Sequence, residues 1–268
     1  MVLDDGPPEA ICAPSGVKCT VSGYFRGVTT RDFDRAVIVI PAHNEKTALP
    51  GCLTAVLAAA GRVDIPVAVV VVLDTCDDGS DALDDRFGPD VHFVPIDAQN
   101  VGKARAAGFS FARDQIGDGS TDSGAWYATT DADSGVDANW LARQLSARAD
   151  MVLGVVRISN WRNIPAAAAR RYLRAYHAKI HPDRGRHDHI HGANMGFAAE
   201  AYWQVGGFAE RATGEDVDLV RRFELAGYRI RRDRRLSVVT SARQIGRAPA
   251  GFAAHLRTVL AKPAKDTA

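Results

Sequence analysis

The chain is predicted to fold as a single α/β domain, a mostly parallel central sheet with helices on both faces. Three observations carry this prediction. Short β-branched apolar runs alternate with Ala-rich helical stretches from residue 36 to about 148, the order that builds parallel sheets. The 268 residues suffice for one large core, since a chain of this size buries roughly 70–75% of its unfolded surface. No internal repeat and no low-complexity linker interrupts the pattern.

The elements follow in order. Ala36–Ile40 is a short β-branched run ending at Pro41, hence a buried strand, and residues 46–60 read as an Ala/Leu-rich helix. Val67–Leu73 is a second buried strand, followed by an acidic Gly/Ser loop and a short helix to about Phe87. Val91–Ile96 and Ala125–Thr130 are the next strands, with helices at Gly102–Ile116 and from about Asp137 to Arg148. Beyond residue 150 come a strand (Met151–Val156), a helix near Pro165–Ile180 and a His-rich connection. A strand-helix unit around Ala193–Val205, a helix from Glu215 and a strand at Leu236–Thr240 complete the list. The domain is expected at residues 34–260, between an N-terminal extension (1–33) and a tail (261–268), with its first half at 34–135 and its second at 136–260.

Composition removes several classes. With 46% apolar and 24% charged residues, disorder, collagen and coiled coil are excluded. Cys12, Cys19, Cys52 and Cys76 lack paired spacing, so neither a zinc site nor a disulfide framework is indicated. The first thirty residues show no signal-peptide pattern, and the longest relevant apolar run is strand-length. The expectation is a cytoplasmic, reduced protein, at most peripheral to a membrane. The net charge of +1 is a cancellation: residues 1–134 hold 10 basic and 20 acidic side chains, residues 135–268 hold 23 and 12. Of the 33 basic residues 27 are Arg, the side chain suited to forked recognition of phosphate or carboxylate.

In sheets of this kind ligands bind outside the carboxyl ends of the strands, which directs attention to three loops. Asp131 and Asp133 lie at i and i+2 after a strand, so in extended backbone they face one side. Two such oxygen ligands can hold Mg²⁺ or Mn²⁺ and leave positions for phosphate oxygens, although Asp-x-Asp also opens ordinary loops. Pro41–Glu45 follows the first strand where a dinucleotide fold would carry its Gly-rich turn, which argues against nicotinamide binding. Asp74–Ser80 offers a carboxylate for a base N–H, or a helix start. Further along, Glu215 and Asp216 open a helix, either as a base for an acceptor hydroxyl or as first-turn acids behind a Thr213 cap.

Taken together, IPAHNE, the acidic DTCDDGSD loop, NVGKARAAG, DADSGVDANWL, HGANMGF, VGGF and GEDVDL resemble, in that order, the nucleotide-sugar glycosyltransferases of family 2, with the GT-A fold, over roughly residues 36–230. The resemblance implies a nucleoside-diphosphate-sugar donor (UDP- or GDP-linked), Mn²⁺ or Mg²⁺ at the Asp-x-Asp, and inversion at the anomeric carbon. By position, Pro41, Ala42 and Glu45 line the nucleoside pocket, Lys103 joins the donor-binding set, and Asp74 looks like the base-reading carboxylate. The acids of that loop stand apart, with Thr-Cys-Asp between Asp74 and Asp78, so either fits the role. Asp131 resembles the nucleotide-side residue and Asp133 the principal metal ligand. Asp216 resembles the catalytic base, with Glu215 beside it, and Gly192, Ala193, Asn194 and Trp140 fall at the sugar and acceptor pocket.

The basic half adds its own candidates. Arg243 and Arg247, four apart after a strand, can close over a diphosphate as a lid or form a plain surface loop. Gln244-x-x-Arg247 echoes part of a processive synthase motif, but Ala248 stands where that motif has Trp. His191 is a candidate third ligand at the Asp-x-Asp, within a His181/His187/His189/His191 cluster that reads equally as a solvated loop. The helix carrying Tyr172, Leu173 and Tyr176 reads as a lid, a membrane-surface helix or a core-packed helix with a basic face. The run Arg229–Arg235 looks like a charged edge strand, and without interleaved aromatics it argues against nucleic acid as a partner. An anionic or lipid-linked acceptor suits this half. Two alternatives differ in class: a sugar-phosphate nucleotidyltransferase, which needs a Gly-rich basic loop where PAHNE stands, and a non-catalytic nucleotide-sugar-binding protein.

Overall fold

Strand β1 (Arg35–Ala42) lies at the middle of the sheet because it has no polar face. Its residues alternate between two cores: Ile38 and Ile40 on one side, Val37 and Val39 on the other. β2 (Val67–Asp74) repeats the division, with Val69 and Val71 against Val70 and Val72. The computed structural model describes residues 32–116, 123–158, 160, 161 and 164–240. Helix α1 (Leu49–Ala60) fills the first face with Leu49, Leu53 and Val56, joined there by Trp140 and Leu141 of α3 (Trp140–Leu145). The second face takes α2 (Val101–Phe111), α5 (Ala199–Gln204) and α6 (Glu215–Leu225) around an aromatic cluster of Phe109, Tyr127, Phe197 and Tyr202.

With β3 (Val91–Ile96), β4 (Ala125–Thr129), β5 (Ser134–Val136), β6 (Met151–Ile158), β9 (Met195–Ala198) and β10 (Ile230–Thr240), the sheet has eight strands in the order β3-β2-β1-β4-β9-β6-β10-β5. A two-stranded hairpin, β7 (Ile180–His181) and β8 (Arg186–His187), stands apart, reached through α4 (Ala166–His177). β3, β2, β1 and β4 are parallel, whereas β9 runs antiparallel to both β4 and β6, and β5 antiparallel to β10. The expected strands are present, most within two residues of their sequence bounds; β10 is the exception, beginning at Ile230 rather than Leu236. Sequence alternation gave no sign of the reversed β9, which is buried on both faces like β4 beside it. The reversal matters for function, because it delivers the loop before β9 to the carboxyl end of β4.

Two departures are local. The run Arg229–Arg235 is an edge on one side, but β10 does not remain one: it pairs with β6 before and after a bulge and with β5 from Val238 to Thr240. The α6 helix is entered through Gly214 in the left-handed region (φ +72°) with no side-chain cap, so Thr213 is not its N-cap. Among the described residues no helix is long and apolar enough to cross a membrane.

Candidate active site

The strand order changes direction between the parallel strands β1 and β4, with β2 and β3 on one side and the rest of the sheet on the other. That is the switch point at which open α/β sheets bind ligands. Among the described residues, three of the four non-glycine residues with positive φ lie in the loops after β1, β2 and β3: Asn44 (φ 56°), Thr75 (φ 53°) and Gln99 (φ 48°). Residues in this region of backbone space persist where surrounding contacts over-determine them, and here those contacts are explicit. Asn44 Oδ1 accepts from Asp77 N at 2.8 Å, Asp78 Oδ2 accepts from Lys46 N at 2.8 Å, and His43 Nδ1 lies 2.6 Å from the Asp74 carbonyl oxygen.

Asp74 is the centre of this lattice. Its Oδ1 accepts from the N–H groups of Ala98 and Gln99, both at 2.8 Å, and from the Thr75 hydroxyl at 3.1 Å; its Oδ2 accepts from Asn100 N at 2.8 Å. Burial opposes its charge, but these four donors outweigh it and hold the carboxyl below the usual range. With three donors on Oδ1 and one on Oδ2, Asp74 holds the loop together, and Oδ2 keeps room for one further donor. Asp78 is committed too, accepting from both N and Oγ of Ser80 and from Lys46 N. Asp77 is the exposed acid of this loop. Pro41 is half-buried while Ala42 (3% exposed) and Glu45 (8%) are buried at the end of β1. Lys103 is exposed and paired with Glu210 at 3.1 Å, on the outside of α2.

The second half of the site is organised by a residue that motif reading passed over. Arg105 projects from the buried face of α2, with its side chain 3% exposed. Its Nη2 donates to Asp131 Oδ1 at 2.8 Å, its Nη1 to Glu215 Oε1, and its Nε to Thr129 Oγ1 at 3.3 Å. One guanidinium thus ties the end of β4 to the start of α6. A Cβ on Gly192 would fall 2.7 Å from the same guanidinium, so the loop before β9 can lie against it only as glycine. That loop turns the Gly192 N–H toward Asp216 Oδ2 at 2.9 Å, while Val217 N donates to Asp216 Oδ1 at 2.8 Å. Asp131, Glu215, Asp216 and Gly192, distant in sequence, therefore meet around Arg105. Burial, helped by the negative charges of Glu215 and Asp216, raises the Asp131 carboxyl despite Arg105.

The residues present fit a divalent cation in one particular way. Asp131 and Asp133 supply hard oxygens after β4, and the hydroxyls flanking them, Thr130 Oγ1 and Ser134 Oγ, are buried without a hydrogen-bond partner. Thr240 Oγ1 lies 3.5 Å from Asp133 Oδ1. Among the described residues no three His, Cys, Asp or Glu side chains form a metal-binding group. That suits a cation held by one or two carboxylates and completed by substrate phosphate and water, not an all-protein cage.

Several sequence expectations are redirected. His191 does not complete a cluster with Asp131 and Asp133; its Nε2 lies 3.1 Å from the Tyr176 hydroxyl. Trp140 (1% exposed) and Asn194 (0%) cannot touch a sugar: Trp140 Nε1 donates to Asn194 Oδ1, and Asn194 Nδ2 donates to the carbonyls of Val155 and Leu236. Both brace the sheet behind the site, and Ala193 packs into the same core. Arg243 and Arg247 lie outside the described residues.

A sheet of this order, with carboxylates gathered at its switch point and a reversed strand completing the site, defines the GT-A class of nucleotide-sugar-dependent folds. Residues 37–206 match the model of glycosyl transferase family 2, and the chain belongs to that family. The match ends before Glu215 and Asp216. Among solved structures, the mannosyltransferase PcManGT from Pyrobaculum calidifontis, in complex with GDP-Man and Mn²⁺, superposes with a TM-score of 0.57 at 19% identity, over 82% of this chain and 59% of that one. TarS 1–349 from S. aureus, in complex with UDP-GlcNAc, gives 0.55 at 14% identity, over 81% of this chain and 61% of that one. At these identities the likeness is one of fold, and the chain spans about three-fifths of each of those proteins. A comparison with curated protein sequences found no match.

Proposed function

We propose that the protein transfers a sugar from a nucleoside-diphosphate sugar, UDP- or GDP-linked, to an acceptor hydroxyl with inversion at the anomeric carbon, Asp216 serving as the base. The observation that carries this reading is the seating of Asp216. Two backbone N–H groups hold its carboxylate at the mouth of the site, one per oxygen, which leaves each oxygen able to accept a further proton or hydrogen bond. Membership of the family and the nucleotide sugars bound by PcManGT and TarS support the donor class.

In the reaction, Asp216 takes the proton of the acceptor hydroxyl as its oxygen bonds to the anomeric carbon. The bond from that carbon to the diphosphate breaks, and its electron pair leaves on the phosphate oxygen. Arg105 positions this base indirectly, by fixing Glu215 one residue away and Asp131 across the site. Asp133, with Asp131, would hold Mn²⁺ or Mg²⁺, which neutralises charge on the departing diphosphate when bound. The loops after β1 to β3 present a rigid floor for the nucleoside, with Pro41 and Asp77 at its surface.

Asp216→Asn keeps the shape and one of the two backbone hydrogen bonds but removes the base, so transfer should fall by about 10²–10⁴-fold. Thermal stabilisation by UDP or GDP with Mn²⁺ should stay as in the parent protein. Full turnover in the variant would remove Asp216 from the role, and no metal-dependent stabilisation by either nucleotide would remove the donor assignment.

A further inference from the structure

A cavity of about 540 Å³ opens between α4 and the strands β6 and β10. Its size is that of a small-molecule pocket, which runs from about 300 to 1,000 Å³. One wall is aromatic. Tyr172 stacks on Tyr176 with ring centroids 5.8 Å apart and packs against Trp161 at 5.5 Å, and all three line the space.

The opposite rim is cationic, and a defect in the sheet puts it there. On β10 the register slips between Arg232, opposite Leu153, and Ser237, opposite Val155. Asp233–Leu236 therefore face only Gly154 on the partner strand. A Cβ at Gly154 would meet the Asn194 side chain at 2.2 Å and the Leu236 carbonyl at 2.5 Å, so the bulge needs glycine there. Bulges re-aim side chains next to sites, and this one brings Arg234 and Arg235 to the cavity, where Arg157 of β6 joins them. Among the described residues none of these three guanidiniums makes an ion pair; the nearby Asp233 carboxylate is turned to Arg143 and to the Arg235 backbone N–H.

We propose that this cavity is the acceptor pocket and that the acceptor is a ring-bearing organic anion. Its ring lies against Trp161, Tyr172 and Tyr176, and its phosphate or carboxylate meets Arg157, Arg234 and Arg235. Aromatic faces take up flat rings and the C–H faces of sugars, and arginine forks match phosphate and carboxylate oxygens. The pocket is linked to the chemistry through its Tyr176 wall. The Tyr176 hydroxyl accepts from Val156 N at 2.8 Å and lies 3.1 Å from His191 Nε2, and the next residue, Gly192, holds Asp216. This assignment of substrate class rests on the transfer reading above.

The test uses the full chain and 4-methylumbelliferyl phosphate as the probe, titrated with saturating UDP or GDP and Mn²⁺ present. Uncharged 4-methylumbelliferone and inorganic phosphate serve as controls. The phosphate ester should bind at least about ten-fold more tightly than either control, and Arg234→Ser/Arg235→Ser should weaken it by at least about ten-fold. Nucleotide binding and the thermal midpoint should be unchanged in that variant. Displacement of the probe by nucleotide, equal binding of the uncharged ring, or indifference to the double substitution would overturn the proposal. Should the double variant fail to fold, Arg157→Ser carries the same expectation. Nucleotide stabilisation measured without probe is a separate readout: its failure alone removes the transfer reading, and failure of probe binding alone removes the pocket.

Discussion

The acids after β2 and the arginines of β10 are both charge runs in sequence, and the fold treats them in opposite ways. Asp74 and Asp78 accept seven hydrogen bonds between them, all from their own or adjoining loops. Arg234 and Arg235, with Arg157, make no ion pair among the described residues and line a cavity. On the donor side charge has become architecture, holding three left-handed residues in place at the strand ends. On the acceptor side charge is kept for a ligand. Net charge per half therefore says little about where binding occurs; the number of donors already satisfying each group decides it.

Arg105 is the point where the two regions meet, and removing it should have the largest effect. Arg105→Met leaves Glu215, 7% exposed at its side chain, without its cation, and loosens Asp131 as well. Breaking one partner of a buried ion pair costs about 3–5 kcal/mol, to be measured by urea unfolding. Arg105→Lys should recover part of that loss, since one ammonium cannot replace a fork that reaches three partners. A loss below about 1 kcal/mol in the Met variant would show that the halves are joined by packing alone.

How far the site was legible follows from the same contrast. The strands were readable because β1, β2 and β4 are apolar over nearly their whole length, and their carboxyl ends directed attention to the loops that the fold brings together. Arg105 was hidden as one of 27 arginines, inside a motif whose Lys103 drew attention and proved to face outward. Its signal was positional: it lies three residues after Gly102 and three and four before Gly108 and Phe109, on the buried stripe of α2. A cation on that stripe must have buried partners. Trp140 and Asn194 misled for the converse reason, since adjacency to a motif does not show which way a side chain turns. The β10 bulge was illegible because it depends on the strand opposite, through Gly154.

Asp74→Asn tests the architectural use of acids directly. The substitution keeps the shape but replaces one acceptor by an NH₂ facing backbone donors, at a cost of about 1–3 kcal/mol. Because the carboxyl is held below its usual range, its contribution is present above the unfolded value near pH 4 and lost as pH falls through the lower folded one. The acid limb of the stability curve should be flatter in the Asn variant. An unchanged limb would mean that the loops after β1 to β3 hold without it.

The smallest effect concerns the histidines beside the arginine pocket, and it sharpens what makes that side cationic. His189 stacks on Tyr176 with centroids 3.7 Å apart, and its Nε2 lies 3.0 Å from the Tyr176 carbonyl. Burial pushes its imidazole down to about 4, and His187 is lowered for the same reason. Near neutral pH both rings are uncharged, so neither adds to the positive charge that Arg157, Arg234 and Arg235 bring to the cavity. The sign for stability follows. Between pH 6.5 and about 4 the unfolded chain takes up a proton at His189 that the folded chain refuses, so stability declines with acidification across that window by about 1–2 kcal/mol. His189→Phe preserves the stack and should remove this decline, leaving the parent and variant curves parallel above pH 7. A decline of equal size in both proteins would place the titrating group elsewhere and put the imidazoles back among the pocket's cations.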